Sequence, residues 1–110
     1  MEKKEDNMVL ELNDNNLTEE IKNGTVIVDF WAPWCGPCRK LGPVLEEVAN
    51  ELEGKVKVFK LNTDDNIKSA QDYAISALPS VIIFKEGEPV ERMVGLMPKS
   101  TIISNIEKHL

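Results

Sequence analysis

Residues 25–38 read TVIVDFWAPWCGPC, and this stretch decides the fold. Its first part, Thr25–Trp31, is β-branched, aromatic and apolar on both faces, apart from Asp29. Such a run is typical of a central strand that helices cover on each side. The only two cysteines of the chain, Cys35 and Cys38, follow directly, ahead of a helical pattern. The rest of the chain is therefore expected to support this cysteine pair.

The pattern after the cysteines predicts one long helix. Apolar side chains recur there at the spacing of one helix face: Leu41, Val44, Leu45, Val48, Ala49 and Leu52. The helix is expected to run to about Glu53 and to stop at Gly54, with a kink at Pro43 because proline removes a backbone donor. A second strand, Val56–Leu61, completes a right-handed βαβ unit with parallel strands. The cysteines then lie at the carboxyl end of a strand, where open α/β sheets place their sites.

The segments on either side predict shorter elements. Met8–Leu12 is compatible with an edge strand. Asn16 and Glu19 resemble a capping signal for a short helix that runs through Ile21.

The C-terminal half predicts a helix, a hairpin and a last helix. Asp64–Tyr73 favours a short helix with four side chains turned inward: Ile67, Ala70, Tyr73 and Ala74. Ser80–Lys85 and Val90–Val94 predict a β-hairpin with the four-residue loop Glu86–Pro89. Pro98 begins the last helix. Its apolar side is expected to consist of Ile102, Ile103, Ile106 and Leu110.

The spacing of the two cysteines points to redox chemistry. If Cys35 caps the helix and Cys38 lies in its first turn, both sulfur atoms face one side, because residues three apart on a helix are neighbours. A bridge that closes so small a ring constrains the unfolded chain little, so it adds little stability. In a reducing cytosol, a lone CxxC pair is typical of redox activity or metal binding. The helix N-terminus favours a thiolate, which makes Cys35 the candidate nucleophile.

Length and charge argue against several classes of protein. The chain has 110 residues, with 19 acidic and 13 basic side chains, a net charge of −6 and a pI near 4.8. Excess negative charge disfavours binding to nucleic acid. The charged N-terminus has no apolar signal-peptide region behind it, and the sequence has no run of 18 apolar residues. We therefore expect a flexible tail over residues 1–7, a single domain over 8–110, and a cytoplasmic monomer that is not anchored to a membrane.

A zinc site is the main metal-binding alternative, because CxxC is half of a zinc-binding knuckle. The chain has no third cysteine, and its one histidine, His109, lies at the C-terminal end. A closed structural site within one chain is therefore not expected, and no metal ligand is assigned.

The segment Val28–Arg39, which reads VDFWAPWCGPCR, resembles the active-site segment of the thioredoxin family. Other residues resemble family positions in the same order along the chain: Pro43, Lys60, Leu61, Asn62, Pro79, Gly87 and Gly95. The resemblance runs from about Met8 to Leu110. It implies an α/β thioredoxin fold, with a central mixed five-stranded sheet flanked by four helices. It also implies a general protein disulfide reductase that works by dithiol–disulfide exchange.

The same resemblance implies a role for each residue around the cysteines. A substrate forms a mixed disulfide with Cys35, and Cys38, shielded beneath the first helical turn, resolves it. Asp29 acts as the general base, since an unpaired carboxyl group in an apolar strand tends to keep its proton. Lys60, near the end of the next parallel strand, either pairs with Asp29 and tunes it or is merely solvated. The two residues that shape the turn are Gly36 and Pro37.

Substrate binding and electron supply are also implied by the resemblance. A flat apolar rim around the nucleophile is expected to consist of Trp34, Leu78, Pro79, Gly95 and Leu96. Pro79 is expected to be a cis proline that exposes the backbone of Leu78 to an extended substrate. No bound metal or organic cofactor is needed, because the redox-active Cys35–Cys38 disulfide carries the electrons. A thioredoxin reductase that uses FAD and NADPH is expected to return them.

The sequence departs from the family beside the proline. The family commonly has an arginine and a glycine before it and a threonine after it, whereas this chain has Ser76, Ala77 and Ser80. Partner recognition is the property that this loop affects in the family. Two other functions stay open at this point: an oxidase or isomerase with the same chemistry, and a binding module in which the cysteines are dispensable.

Overall fold

Five strands and four helices form within residues 9–110, the part of the chain that the computed structural model describes. The strands are β1 Val9–Leu12, β2 Thr25–Trp31, β3 Lys57–Asn62, β4 Ser80–Lys85 and β5 Glu88–Val94. The helices are α1 Leu17–Glu20, α2 Gly36–Glu51, α3 Ile67–Asp72 and α4 Lys99–Glu107. The predicted tail, residues 1–7, and Met8, predicted to begin the first strand, lie outside the described residues.

The strands form one mixed sheet in the order β1-β3-β2-β4-β5. β1, β3 and β2 run parallel, whereas β4 is antiparallel to β2 and β5 is antiparallel to β4. The apolar run of β2 explains its central place, since every residue of the strand except Trp31 is buried. The predicted mixed five-stranded sheet with four helices is confirmed, and so is the parallel unit β2-α2-β3.

Two apolar cores lie on the two faces of the sheet, because successive side chains of a strand point to opposite sides. One core joins the sheet to α2 and α4, and Ile27 of β2 belongs to it. The other core joins the sheet to α1 and contains Val26, Val28 and Phe30. Asp29 lies two residues after Ile27, so its side chain is on the α2 face of the sheet.

The hairpin between β4 and β5 is tighter than predicted. The four-residue loop Glu86–Pro89 is wrong, because β5 begins at Glu88 and Pro89 already belongs to the strand. Glu86 and Gly87 form a two-residue turn with positive φ angles of 52° and 86°. Two successive positive φ angles match the twist of the flanking strands better than an open loop does. Proline is tolerated in β5 because β5 is an edge strand.

The first helix begins without the predicted cap. Asn16 is the residue before α1, but its Oδ1 accepts a hydrogen bond from the Asn13 N–H at 2.8 Å and does not cap the helix. The Leu17 N–H donates to the Asn13 carbonyl at 3.1 Å instead. The capping prediction is wrong because the preceding turn already supplies this acceptor.

The third helix presents part of its apolar side to solvent. Ile67 is 59% exposed, and Ala74, which lies beyond the end of α3, is exposed as well, although both were expected to face inward. The Ser69 N–H donates a hydrogen bond of 2.8 Å to Asp14 Oδ1, and Ser69 is buried. This contact places the Ser69 side of α3 against the protein, which leaves Ile67 on the outer side.

The two longer helices agree with the predicted pattern except at their ends. α2 ends at Glu51, two residues before the expected end, and contains Pro43. In α4, Ile102 and Ile106 are buried as expected. Leu110 lies beyond the end of α4 and is 51% exposed, so its predicted place on the apolar side is wrong.

Two glycine-to-alanine substitutions are expected to change stability in opposite directions. Gly87 has a φ angle of 86°, where an alanine is strained, so Gly87→Ala should lower the free energy of unfolding by about 1 kcal/mol. Gly42 lies inside α2 directly before Pro43, and an added Cβ would have no atom within 4 Å apart from its chain neighbours and the helix backbone. The ring of Pro43 crowds a side chain at this position, so Gly42→Ala should raise the free energy of unfolding by less than the roughly 0.5–1 kcal/mol that is typical of a helical glycine. Urea unfolding measures both values, and effects of the same sign would contradict this account.

Candidate active site

The N-terminus of α2 carries the cysteine pair. Cys35 is the residue before the helix, with extended backbone angles (φ −91°, ψ 110°). The Cys38 N–H donates a hydrogen bond of 3.2 Å to the Cys35 Sγ, which takes the place of a capping oxygen. The two sulfur atoms are joined in a disulfide, with Cα atoms 5.3 Å apart. Cys35 thus caps the helix, and Cys38 lies in its first turn, as the spacing predicts.

The two residues between the cysteines form the start of α2, and both are compatible with the first turn of a helix. Gly36 is the first helical residue, and an added Cβ there would have no neighbouring atom within 4 Å. Pro37 is the second helical residue, where its missing N–H is tolerated because the first N–H groups of a helix have no acceptor inside it.

Apolar side chains surround the disulfide. Cys35 and Cys38 form a cluster with Ala32, and Trp31 and Leu78 pack against it. Cys35 is 5% exposed and Cys38 is 4% exposed. Cys38 is thus shielded as expected, and Cys35 is buried to a similar extent in the oxidised protein. Their positions differ, however, because the Cys35 sulfur accepts a hydrogen bond from the helix N-terminus.

Asp29 is a buried carboxyl group on the α2 face of the sheet. It is 3% exposed, and its Oδ1 has no hydrogen-bond partner. Burial disfavours the charged form and raises the pKa of Asp29 to about 7, while the positive charge of Lys60 acts in the opposite direction. A carboxyl group with this pKa exchanges its proton near neutral pH, as the apolar strand around it predicts.

Lys60 lies beside Asp29 but does not form an ion pair with it. The two residues are direct neighbours in the register of β2 and β3. The Lys60 Nζ lies 5.8 Å from the centre of the Trp31 ring, within the range of a cation–π contact. The ion pairs between described residues do not include one between Lys60 and Asp29. Of the two alternatives left open for Lys60, direct pairing with Asp29 is therefore not seen, although the Lys60 charge still lowers the pKa of Asp29.

The predicted rim is assembled from three separate segments. The peptide bond between Leu78 and Pro79 is cis, as expected. The Gly95 N–H donates a hydrogen bond of 2.9 Å to the Pro79 carbonyl, which ties the loop after β5 to the proline loop. Trp34 is 69% exposed and Leu96 is 48% exposed, so both present apolar surface to solvent.

One polar neighbour of the rim, Asp64, was not predicted from the sequence. The Trp34 Nε1–H donates a hydrogen bond of 3.2 Å to Asp64 Oδ1, which orients the indole. Asp64 follows β3 as Cys35 follows β2, and parallel strands end at the same edge of a sheet. The position of Asp64 directly after a strand parallel to β2 was the feature of the sequence that could have predicted this contact.

Two of the three unusual residues beside the proline lie at the surface, whereas Ser80 is buried. Ser76 and Ala77 are exposed. A cavity of about 290 Å³ is lined by Ser76 together with rim residues and residues of and around α3: Trp34, Thr63, Ala70, Ile75 and Leu78. The Ser80 hydroxyl donates a hydrogen bond of 2.6 Å to the Ala77 carbonyl. The small side chains of Ser76 and Ala77 therefore change the surface next to the rim rather than the disulfide itself.

The described residues contain neither a metal-binding cluster nor a membrane-spanning helix. Within residues 9–110, no group of three or more His, Cys, Asp or Glu side chains is arranged to hold a metal ion. His109 contacts Glu91, with 3.0 Å between Nε2 and Oε1. None of the helices in this part of the chain is both long and apolar enough to span a membrane.

Comparison with known proteins agrees with this geometry. The family model described as Thioredoxin matches residues 8–108. The chain belongs to the thioredoxin family. Thioredoxin of Staphylococcus saprophyticus is 43% identical over 102 residues, which cover 93% of this chain and 98% of that protein. Thioredoxin of Synechocystis sp. is 47% identical over 102 residues, 91% of this chain and 95% of that protein. Thioredoxin of Pyropia yezoensis is 46% identical over 104 residues, 93% and 97% of the two chains.

Family membership and the cysteine pair together give the chemistry. The protein is a protein disulfide oxidoreductase, and Cys35 and Cys38 are its redox-active pair. The predicted family, fold and class of enzyme are confirmed.

Replacement of Asp29 by asparagine is expected to remove a pH-dependent loss of stability. An unfolded aspartate loses its proton near pH 3.8, whereas the native side chain keeps it until about pH 7. The stability that this group contributes is therefore fully present below pH 3.8 and is lost as the pH rises to about 7. At about 1.4 kcal/mol for each pKa unit, the loss reaches about 4 kcal/mol.

Urea unfolding of the oxidised proteins between about pH 4 and pH 8 measures this difference. Asp29→Asn should match the natural protein in stability at the lower pH and exceed it by a few kcal/mol at the higher pH. Asp65→Asn, at an exposed aspartate, is the matched control and should show no such trend. A difference between Asp29→Asn and the natural protein that stays constant with pH would contradict the assignment.

Proposed function

We propose that this protein is a general protein disulfide reductase, with Cys35 as the nucleophile and Cys38 as the resolving thiol. One observation supports this above all: the Cys38 N–H, at the N-terminus of α2, donates to the Cys35 Sγ. In the reduced protein, the same donor and the helix dipole stabilise negative charge on that sulfur. Cys35 is therefore the thiol that ionises first.

The proposed reaction has two exchange steps. The Cys35 thiolate attacks one sulfur of a substrate disulfide, so that a Cys35–substrate bond forms, the substrate bond breaks, and the released substrate sulfur takes up a proton. Cys38 then loses its proton and attacks the Cys35 Sγ, which forms the Cys35–Cys38 disulfide and releases the second substrate thiol. Two electrons and two protons pass from the protein to the substrate.

Asp29 is the proposed base for the second step. Its pKa of about 7 suits a group that accepts a proton near neutral pH. It is buried on the face of the sheet over which α2 packs, the helix that carries Cys38. The Lys60 charge lowers the pKa of Asp29 against the effect of burial, and this is its proposed tuning role. Gly36 and Pro37 are proposed to keep the turn in shape during both steps.

The proposed substrate site is the rim around Cys35. Its members are Trp34, Leu78, Pro79, Gly95 and Leu96. An extended substrate segment pairs with the backbone of Leu78 by strand addition, while the exposed Trp34 and Leu96 contact apolar side chains. Backbone pairing with shallow apolar contacts suits an enzyme that acts on many proteins, because it depends little on any one side chain.

Cys38→Ser is expected to trap substrates on the protein. Without the resolving thiol the first exchange still takes place, so mixed disulfides through Cys35 should accumulate in a reducing cell extract. Non-reducing electrophoresis detects them, and added dithiothreitol should release them.

Cys35→Ser is the matched control for this trap, because it keeps the fold and one cysteine but lacks the proposed nucleophile. We expect it to give few adducts under the same conditions. The assignment would be refuted if Cys38→Ser gave no thiol-sensitive adducts, or if Cys35→Ser trapped substrates equally well.

Asp29→Asn is expected to slow the second step and to spare the first. The asparagine side chain cannot accept the Cys38 proton, and loss of a general base typically lowers a rate by about 10²–10⁴-fold. Rapid mixing with a disulfide-linked peptide separates formation of the mixed disulfide from its decay. Equal decay rates in the variant and the natural protein would remove Asp29 from the mechanism.

The proposed electron source is a thioredoxin reductase that carries FAD and oxidises NADPH, in the cytoplasm. The protein is proposed to act as a monomeric single domain over residues 8–110, preceded by a flexible tail at 1–7, without a bound metal or organic cofactor. The family implies the reductase partner, and the exposed Ser76 and Ala77 lie in the loop that such partners contact in the family.

Ser76→Arg combined with Ala77→Gly is expected to improve reaction with reductases of thioredoxin relatives. A charged hydrogen bond from the new arginine to the reductase typically contributes enough binding free energy to raise kcat/KM by about tenfold. NADPH consumption with an insulin-type substrate measures the rate. The control is the rate at which the protein reduces the same substrate with dithiothreitol as the electron donor. This rate should not change, because no reductase takes part. An unchanged rate with every reductase tested would show that these two residues do not control partner choice.

A further inference from the structure

The Lys60 side chain lies over a tryptophan ring, although a carboxyl group is its direct neighbour in the register of β2 and β3. Val58 and Ile27 both belong to the core beneath α2, so Lys60 and Asp29, two residues further along β3 and β2, lie on that same face. A lysine and an aspartate in direct register on one face are well placed to pair. The Lys60 Nζ nevertheless lies over the ring of Trp31, at 5.8 Å from its centre.

Few charged groups surround this pair of strands. β4 presents Val81 opposite Asp29, and α2 covers the face with apolar side chains and the disulfide. The positive charge of Lys60 acts on Asp29 and lowers its pKa against the effect of burial. On its other side, Lys60 is in register with Glu11 of β1.

We propose that Trp31 is a positioning residue whose ring holds the Lys60 ammonium and keeps it from pairing with the Asp29 carboxylate. The negative face of an indole attracts a cation, and the attraction strengthens where water is partly excluded. Trp31 is partly buried and packs against the disulfide cluster. The lysine charge thus acts on Asp29 from a distance, and Asp29 Oδ1 has no hydrogen-bond partner.

This arrangement matters for the proposed role of Asp29 as a base, on which the inference rests. A direct ion pair would favour the charged carboxylate and lower its pKa well below neutral, which makes a weaker base. When the lysine is held at the tryptophan ring, burial remains the larger influence on the pKa of Asp29. The carboxyl group therefore still exchanges its proton near neutral pH. Trp31 would then control the second exchange step without contacting the substrate.

Fluorinated tryptophan tests the proposal without leaving a cavity. Fluorine atoms weaken the negative face of the ring and change its shape little. Incorporation in a Trp34→Phe background restricts the label to Trp31, because the chain has two tryptophans. The midpoint of Asp29 titration in the oxidised protein is followed by carbon-13 NMR of its carboxyl group, and thermal melting reports on the fold.

As fluorine atoms are added, the Asp29 midpoint should fall by about one pH unit, because Lys60 moves to the carboxylate. In a Lys60→Met background the same fluorination should leave the midpoint unchanged. In a Glu11→Gln background the fall should persist. A midpoint that rises or stays constant with Lys60 present, or an equal fall with Lys60→Met, would overturn the proposal.

The decay rate of the mixed disulfide gives a second readout, since its pH midpoint should move with that of Asp29. Failure of the reductase function would show in the Cys38→Ser trap, which does not depend on Trp31. The two proposals can therefore fail separately.

Discussion

The burial of β2 on both faces is the constraint on which the active site depends. The side chains of a strand that helices cover on each side are buried, so an acid within it loses most of its hydration. Asp29 is that acid, and its pKa of about 7 follows from burial more than from any partner. The same strand ends where α2 begins, so the dehydrated acid and the cysteine helix share one face of the sheet.

The cysteine pair gains its reactivity from the start of a helix and its access from loops. The Cys38 N–H that donates to the Cys35 Sγ is a consequence of helix geometry and needs no further residue. The rim needs segments far apart in the chain, since Trp34 precedes α2 whereas Pro79 and Gly95 flank the hairpin. Chemistry and the proposed recognition thus have separate structural origins, and the exposed Ser76 and Ala77 lie beside the rim rather than at the disulfide.

Regular patterns were the most predictable part of the protein. The apolar run of β2, the helical spacing of α2 and the cysteine spacing each follow from local geometry, and the structure agrees with them. The cis bond before Pro79 and the mixed sheet came from family resemblance. The predictions failed where a distant contact or a turn decided the outcome. Ser69 bonds to Asp14 and exposes Ile67, and Gly87 closes a two-residue turn in place of a longer loop.

By itself, the sequence determined the strand, the helix and the redox pair, because each depends on residues close together in the chain. Only the tertiary structure decided where the charges lie. Lys60 and Asp29 are 31 positions apart, and the packing of β3 beside β2 brings both to the same face as Trp31. Whether that lysine pairs with the carboxylate or rests on the ring depends on distances and burial in three dimensions, which no spacing along the chain encodes.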